Sequence, residues 1–288
     1  MTFKSINIGG RLMEFDRPKV MGIINVTPDS FYSGSRTPGC AAIERRAVEM
    51  VEQGVDIFDI GGYSTRSGVY GTRSGADEIS PEEEYGRLDR GLEVLRRVAP
   101  DVPVSVDTFR AGVARKCVEN WGVEIINDIA GGTLDPDMFA TIADLKVAYV
   151  LMHTRGTPAT MQQLTDYGDV TAEVLSDLMA KVRQLRLLGV NDIILDPGFG
   201  FAKTTGQNFR LLAELKVFVD TGLPVLAGLS RKSMIWRSLG TTPAESLTGT
   251  TVLDTVALMA GADILRVHDV RDAKENVLLI EKLRNNSR

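Results

Sequence analysis

Short apolar runs alternate with longer amphipathic segments along the whole chain, and this alternation restricts the possible folds more than any other feature. The runs are rich in β-branched residues, which is typical of strands that are buried on both faces. Eight such runs occur: Val20–Asn25, Val55–Ile60, Val102–Asp107, Val123–Asn127, Val147–Met152, Asp192–Asp196, Pro224–Gly228 and Asp263–Val267.

The segments between the runs have the residue spacing of amphipathic helices. Ser80 is a suitable N-cap, because proline stands at the next position and acidic residues fill the first turn. In the segment 170–188, apolar residues recur at helical spacing and predict one buried stripe. The stripe consists of Val174, Leu178, Val182 and Leu185.

Eight strand–helix units in succession predict a closed parallel barrel rather than a doubly wound sheet. We find no linker and no break in composition, so we expect an α/β protein with a TIM (β/α)8 barrel in a single domain, residues 1–288. Such a barrel typically needs about 250 residues. Ahead of the first strand, the residues from Phe3 to Phe15 around Gly9-Gly10 predict an N-terminal β-hairpin that closes the bottom of the barrel.

Composition limits the partners and the compartment. The net charge is −5 and the isoelectric point is about 5.3, so no strongly basic face is expected and nucleic acid is not an expected partner. Cys40 and Cys117 lie in predicted helices without metal-ligand spacing, which favours reduced thiols in the cytoplasm. The N-terminal residues lack the pattern of a signal peptide, and no apolar run approaches the roughly 20 residues that span a bilayer. We therefore expect no membrane association.

Polar residues stand where the predicted strands end. The carboxyl ends of all barrel strands meet at one mouth, where active sites of this architecture lie, so these side chains should converge. Burying them would be costly unless a ligand satisfied their hydrogen bonds. The set comprises Asn25, Asp59, Asp107, Asn127, Asp128, His153, Asp196, Lys232, Arg266 and His268.

The residue types in this set indicate a ligand. Asp and Asn present donors and acceptors to a flat nitrogen heterocycle with amide and amino edges. Lys232, Arg266 and His268 supply positive charge for a phosphate or diphosphate. Asn25 offers a neutral oxygen to Mg²⁺, which keeps several waters and binds mainly through substrate phosphates. His153 has no metal-ligand set around it, and we interpret it as structural.

Seven segments resemble the motifs of the dihydropteroate synthase family and follow in the family's order. The resemblance extends from about residue 20 to residue 270, and the seven together are far more specific than any one of them. They begin at Asn25 (NVTPDSF), Gly61 (GGYSTR), Ser105 (SVDT), Ile126 (INDI), Asp196 (DPGFGF), Ser230 (SRKS) and Arg266 (RVHD).

The resemblance implies a transferase of folate biosynthesis. In that family, Mg²⁺-bound 6-hydroxymethyl-7,8-dihydropterin diphosphate reacts with p-aminobenzoate to give 7,8-dihydropteroate and diphosphate. Carried over by motif, the pterin contacts are Asp107, Asn127, Asp196, Lys232, Met152 and Ile129. The diphosphate contacts are Asn25, Thr65, Arg266 and His268, and Asn25 also contacts the metal. The p-aminobenzoate contacts are Thr65, Arg66, Phe201, Lys232 and Ser233. The catalytic set is Asp107, Lys232, Arg266 and His268.

A dissociative substitution fits these residues. The leaving diphosphate develops negative charge, which Arg266, His268 and Mg²⁺ would stabilise more in the transition state than in the ground state. The electron-rich pterin can delocalise the positive charge on its methylene, and an ionised Asp107 would favour that cation. The attacking aromatic amine is neutral, so no strong general base is required.

The second predicted loop departs most from the family pattern. Its segment Thr65–Gly68 recurs as Thr72–Gly75, an apparent duplication that adds about seven residues to a loop that costs little to extend. Either copy can supply the functional Thr and Arg. We hypothesise that the altered loop changes sensitivity to sulfonamides, and deletion of residues 67–73 followed by measurement of sulfonamide inhibition tests this. Other departures are Ser33 for Asp, Tyr63 for Glu, Ser67 for Pro and Ala202 for Gly.

Two alternative functions remain open at this stage. A pterin-binding methyltransferase that uses methyltetrahydrofolate could share Asp107, Asn127 and Asp196 but would not need the diphosphate set. A catalytically inactive folate-binding protein is the second alternative. Members of the family are commonly homodimers, and the resemblance predicts the same here through a helix near the carboxyl end. The candidate contacts are Val252, Leu253, Val256 and Leu258, which also suit the inner face of a barrel helix.

Overall fold

The computed structural model describes residues 4–26, 37–63, 79–157 and 159–286. Strands β1 (Ser5–Ile8) and β2 (Arg11–Glu14) form an antiparallel hairpin, as expected. Eight further strands are all parallel, and each has a predicted counterpart in the sequence. They are β3 (Lys19–Asn25), β4 (Ile57–Gly61), β5 (Val104–Asp107), β6 (Ile125–Asp128), β7 (Ala148–Met152), β8 (Ile193–Asp196), β9 (Leu226–Ala227) and β10 (Ile264–Val267).

The eight parallel strands close into a barrel. Each strand pairs with its neighbours in sequence, and β10 pairs with both β3 and β9. The last seam, between β8 and β9, is closed by a single bridge between Leu195 and Val225, and the Leu195 N–H donates to the Pro224 carbonyl at 2.8 Å. The prediction of a (β/α)8 barrel is confirmed.

Helices follow the barrel strands and cover the outside of the sheet. The side chain of Ser80 accepts a hydrogen bond from the Glu83 N–H at 3.1 Å and caps a helix that begins with proline, as predicted. The helices are α1 (Thr37–Glu52), α2 (Pro81–Val98), α3 (Ala111–Trp121), α4 (Met138–Leu145), α5 (Val170–Leu187), α6 (Thr205–Ala213), α7 (Lys216–Val219), α8 (Ser233–Leu239), α9 (Leu247–Ala260) and α10 (Val270–Asn286). The predicted stripe of α5 is buried against the barrel.

The interior of the barrel is divided into an apolar floor and a polar upper layer. Because side chains alternate between the two faces of a strand, every second residue points inward. The lower inward residues form a cluster with Ile6, Ile8 and Phe15 from the hairpin region, which therefore closes the bottom. The inward residues of this floor are Met21, Ile57, Ile125, Ala148, Val150, Ile194, Leu226 and Ile264. The polar residues begin one layer higher.

Two further properties bear on the sequence expectations. Within the described ranges, no helix is long and apolar enough to cross a membrane. Cys40 and Cys117 are both free thiols, and Cys117 is buried.

Candidate active site

The polar layer begins with a guanidinium between two carboxylates. Arg266 donates from Nε to Asp59 Oδ2 at 2.6 Å and from Nη2 to Asp107 Oδ2 at 2.7 Å. Asp59 is fully buried, and the other two side chains are each 20% exposed toward the mouth. Burial raises the pKa of Asp107 to about 7, against the lowering effect of Arg266. The three groups carry a net charge of −1 when both carboxyls are ionised.

Asn127 stands beside this group with one polar atom unused. Its side chain is 2% exposed, and Nδ2 donates to Asp59 Oδ2 at 3.2 Å. Its Oδ1 and the Oγ of Ser105 are buried and have no hydrogen-bond partner in the described part of the chain. Buried polar atoms are normally paired, so two unpaired atoms at the base of one mouth indicate a place for a polar ligand.

Asp196 and Lys232 meet above the short strand β9. A Cβ on Gly228 would lie 3.7 Å from Lys232 Nζ and 3.9 Å from Asp196 Oδ2, so both groups reach the same point. Burial raises the pKa of Asp196 in spite of Lys232 nearby. Burial lowers the pKa of Lys232 to about 8, in spite of the carboxylates of Asp196 and Asp107. The acidic and basic halves of the mouth are therefore close enough to influence each other.

The loop after β8, residues 198–201, brings its backbone against Lys232. Lys232 Nζ donates to the Phe199 carbonyl and lies 4.9 Å from the centre of the Phe201 ring. Gly198 and Gly200 have φ of 72° and 82°, and a Cβ on Gly198 would lie 1.9 Å from the His153 carbonyl. Glycine is required at that position because no other residue fits so close to backbone.

Ala202 follows this loop with φ of 48° and is fully buried. This is the position where the family often has glycine. Alanine in the left-handed region costs roughly 1 kcal/mol, so the substitution stores some strain beside the loop.

His268 and Asn25 lie nearer the rim. His268 Nδ1 is 3.0 Å from Ser230 Oγ, and its backbone N–H donates to the same oxygen at 3.1 Å. Arg231 next to Ser230 binds both oxygens of Asp269, at 2.8 and 2.9 Å, and so fixes this segment instead of facing solvent. Asn25 ends β3 with an exposed side chain and pairs with Gly61, which pairs in turn with Asp107.

Most of the predicted site residues therefore meet at one mouth. Met152 lies in register with Asp196, and both Met152 and Ile129 are buried. Phe201 and Ser233 flank Lys232, one through its ring and the other as the next residue. Thr65 and Arg66, the duplicated segment and Ser33 lie outside the described residues.

The structure adds residues to which the sequence assigns no ligand role. Asp59 is recognisable from sequence only as a polar strand end, yet it anchors both Arg266 and Asn127. Lys203 is buried behind the loop 198–201 and forms a hydrogen bond with His153. A lysine two positions after the motif DPGFGF gives no indication of such burial, because the burial arises from packing.

A metal ion would depend on the substrate here. Within the described ranges, no three His, Cys, Asp or Glu side chains are arranged to hold one. A single neutral amide at Asn25 suits Mg²⁺ that is bound mainly through waters and phosphate oxygens. The donor set is therefore compatible with Mg²⁺ that arrives with a diphosphate.

The fold and the polar side chains that converge at the mouth are those of an enzyme of the (β/α)8-barrel class. The model of the pterin binding enzyme family matches residues 21–268. A dihydropteroate synthase from Synechocystis is 44% identical over 257 residues, which cover 88% of this chain and 86% of that protein.

Solved structures agree with this match. Dihydropteroate synthase from Yersinia pestis, in a complex with a sulfonamide drug, superposes with a TM-score of 0.87 and 34% identity and covers 98% of this chain and 100% of that one. Dihydropteroate synthase from Xanthomonas albilineans with 4-aminobenzoic acid superposes with a TM-score of 0.84 and 36% identity and covers 98% of this chain and 99% of that one. The chain belongs to the pterin-binding enzymes and, within them, to the dihydropteroate synthase family.

Proposed function

We propose that this chain condenses 6-hydroxymethyl-7,8-dihydropterin diphosphate with p-aminobenzoate, giving 7,8-dihydropteroate and diphosphate. The observation that carries the proposal is the polar layer above the apolar floor, where Asn127 Oδ1 and Ser105 Oγ have no hydrogen-bond partner among the described residues and lie beside the ionisable groups Asp107 and Asp196. A pterin has ring N–H, amino and carbonyl groups on its edge. It can satisfy such acceptors and donors in a single plane.

The residues of this polar layer have roles that follow from their charges. Asp107 faces the interior one layer above Asn127's partner Asp59, where its carboxylate favours positive charge that develops on the pterin methylene. Arg266 holds that carboxylate in place at 2.7 Å. His268 at the rim, and guanidinium N–H groups that Arg266 does not donate to the two carboxylates, would donate hydrogen bonds to the departing diphosphate. Both effects grow as the bond to diphosphate lengthens, which is the requirement for catalysis.

The second substrate fits the rim beside Lys232. The Phe201 ring offers an apolar surface for a benzoate ring, and Lys232 offers a cation for a π-system or a carboxylate. Ser233 adds a hydroxyl at the start of α8. The amine of p-aminobenzoate attacks as a neutral nucleophile, so the site needs no strong base. We also propose that Thr65 and Arg66 of the second loop contact p-aminobenzoate.

Mg²⁺ is the proposed cofactor, with Asn25 as its protein contact. When bound, it would neutralise charge on the diphosphate. The exposed carboxamide of Asn25 at the end of β3 is the supporting feature, and its neutral oxygen suits a metal that keeps most of its waters.

Diphosphate release from the pterin substrate, measured with and without p-aminobenzoate, tests the function. We expect release that depends on p-aminobenzoate. A methyltransferase would release none but would bind methyltetrahydrofolate, and an inactive folate-binding protein would release none and transfer no methyl group. Asn127→Ala should raise the KM for the pterin at least about tenfold, because a hydrogen bond is lost and its buried partner on the pterin is left unpaired. Asn276→Ala is the matched control, since Asn276 is equally buried but lies between α9 and α10.

We further propose a homodimer formed by the outer faces of α9 and α10. Val252, Val256 and Met259 are 55%, 41% and 54% exposed on α9, and Leu279 and Leu283 are 67% and 51% exposed on α10. A self-complementary apolar face suits a second copy of the same chain. Two of the dimer contacts predicted from the sequence do not lie on this exposed face. Leu258 is fully buried, and Leu253 packs against the core.

The dimer proposal is tested by light scattering of Val256→Glu. We expect a monomer, whereas Leu187→Glu on α5 should leave the mass unchanged, although Leu187 is 88% exposed. A dimeric Val256→Glu protein would contradict the proposed face. We also propose that the 288 residues form one domain and that the enzyme works in the cytoplasm, a reducing compartment that suits its two free thiols.

A further inference from the structure

A buried lysine to which the sequence assigns no ligand role lies behind the loop 198–201. The side chain of Lys203 is 4% exposed, and His153 beside it is 2% exposed. Lys203 Nζ donates to the Gly198 carbonyl at 2.9 Å and to the Phe201 carbonyl at 3.0 Å, and lies 3.1 Å from His153 Nδ1. One amino group thus ties the first and last residues of the loop to the end of β7.

The three partners use the full hydrogen-bonding capacity of this amino group. As an ammonium, Lys203 has three N–H donors, which match two carbonyl oxygens and a neutral imidazole nitrogen. Burial lowers the pKa of Lys203 to about 7 and that of His153 to about 2, so the imidazole stays neutral. If Lys203 loses its proton, the amine can accept from His153 Nδ1–H in the other tautomer. The three contacts therefore persist in either charge state.

The same loop also contacts Lys232 at the mouth of the barrel. Phe199 accepts a hydrogen bond from Lys232, the Phe201 ring lies under its amino group, and a Cβ on Gly200 would be 3.2 Å from Lys232 Cδ. Lys203 fixes Gly198 and Phe201, and Lys232 contacts the three residues Phe199, Gly200 and Phe201. A shift of the loop would therefore move Phe201 and Lys232 together.

We propose that Lys203, supported by His153, is a positioning residue that sets the place of Phe201 and Lys232 against p-aminobenzoate. It does not react itself, because its hydrogen-bonding groups are occupied and it is shielded from the mouth. Asp196 lies on a strand held by the barrel ladder, and its own contact to this loop is the Gly198 N–H at 2.8 Å. The pterin contacts of Asp107 and Asn127 do not involve the loop. Lys232 is assigned to both substrates but Phe201 to p-aminobenzoate alone, so the larger effect of Lys203 should fall on the second substrate.

The test is a steady-state comparison of wild type, Lys203→Met and the control Lys274→Met, with each substrate varied in turn. Lys274 is a partly buried lysine that binds Asp56 at 2.9 Å at the closed end of the barrel, far from the mouth. For Lys203→Met we expect the KM for p-aminobenzoate to rise at least about tenfold, because a displacement near 1 Å has effects of that size or larger. The KM for the pterin should change by less than about threefold, and the control should match wild type.

A merely structural lysine would give a different result. Partial unfolding lowers the fraction of active enzyme and hence the apparent kcat, but leaves both KM values unchanged, and that outcome would overturn the proposal. An equal rise in both KM values would overturn it as well. If Lys203→Met does not fold, His153→Gln serves as the second variant, with a rise of about threefold expected in the same KM.

The inference rests on the proposed p-aminobenzoate site, and assays of the wild-type enzyme distinguish a failure of the proposed function from a failure of the role of Lys203. Wild type without p-aminobenzoate-dependent diphosphate release would refute the proposed function. Active wild type with unchanged KM values in both variants would refute only the role of Lys203.

Discussion

Asp59→Asn is the substitution that most directly tests how the mouth controls charge. Asp59 and Asp107 both accept hydrogen bonds from Arg266, at 2.6 and 2.7 Å, so one guanidinium serves two carboxylates. Burial raises the pKa of Asp107 to about 7, and the negative charge of Asp59 contributes to that rise. Asparagine keeps an acceptor for Arg266 but removes the charge. We therefore expect the pKa of Asp107 to fall.

The size of the shift follows from the separation of the two carboxylates. Asp59 Oδ2 and Asp107 Oδ2 lie 2.6 and 2.7 Å from the same Arg266 Nη2. Two like charges roughly 5 Å apart repel by about 3 kcal/mol at an effective dielectric constant of about 20, which corresponds to about two pKa units. Arg266 loses one charged partner and can relax, so we expect a net shift of about one to two units. Weakening a charge-assisted hydrogen bond should also reduce kcat/KM about tenfold to a hundredfold.

The assay is kcat/KM for the pterin diphosphate across the pH range that contains this titration. Ionised Asp107 favours the cationic pterin methylene, so wild-type activity should fall as the pH drops through about 7. In Asp59→Asn that acidic limb should move to lower pH. Asp56→Asn is the control, because Asp56 binds Lys274 at 2.9 Å at the closed end of the barrel. A limb that stays within about 0.3 units of wild type in Asp59→Asn would refute the reasoning.

Three further outcomes are expected. Burial lowers the pKa of Lys232 to about 8, so wild-type activity should also fall above that pH; Lys232→Arg, which cannot lose its charge, should lack this alkaline limb even if its kcat is low. Burial lowers the pKa of His153 to about 2, so only the unfolded chain takes up this proton as the pH falls below about 6.5, and stability is lost in that direction. His153→Gln should then reduce the slope of the unfolding free energy against pH by about 1.4 kcal/mol per pH unit between pH of about 6.5 and 4.5, measured by urea unfolding. An unchanged slope would contradict the buried neutral imidazole. Gly198→Ala, with φ of 72° and a Cβ 1.9 Å from the His153 carbonyl, should lower the free energy of unfolding by at least about 2 kcal/mol, and a loss well below that would show that the loop can shift at little cost.

The barrel was predictable because its pattern is local. Buried strands such as β3 and β8 are short apolar runs in the sequence, and a polar residue at the end of such a run marks the mouth without knowledge of its partners. The main exception is β9, of two residues, where the sequence predicts a longer strand. Pro224 has no N–H to pair, and the chain turns away toward Lys232 directly after Gly228.

The connections among the site residues were not predictable, because they join distant parts of the chain. Arg266 lies 207 residues from Asp59 and 159 from Asp107, and sequence assigns it only to a diphosphate. In the structure its guanidinium is engaged by both carboxylates. Lys203 follows a motif recognisable in the sequence, but its role depends on His153, 50 residues earlier. Residue type and spacing indicate which groups gather, but not which of them hold the others.

The hairpin β1–β2 closes the bottom of the barrel, and among the described residues the interior opens at the mouth. Asn127 and Asp196, at 2% and 4% exposure, line its depth, whereas Phe201 and Ser233 stand nearer the opening. At the bottom, Ile6 and Ile8 pack against the apolar floor, so within the described residues this depth is reached from the mouth. With the heterocycle at depth and the benzoate at the rim, as proposed, a benzoate that bound first would obstruct the heterocycle, so we expect the heterocycle to bind first.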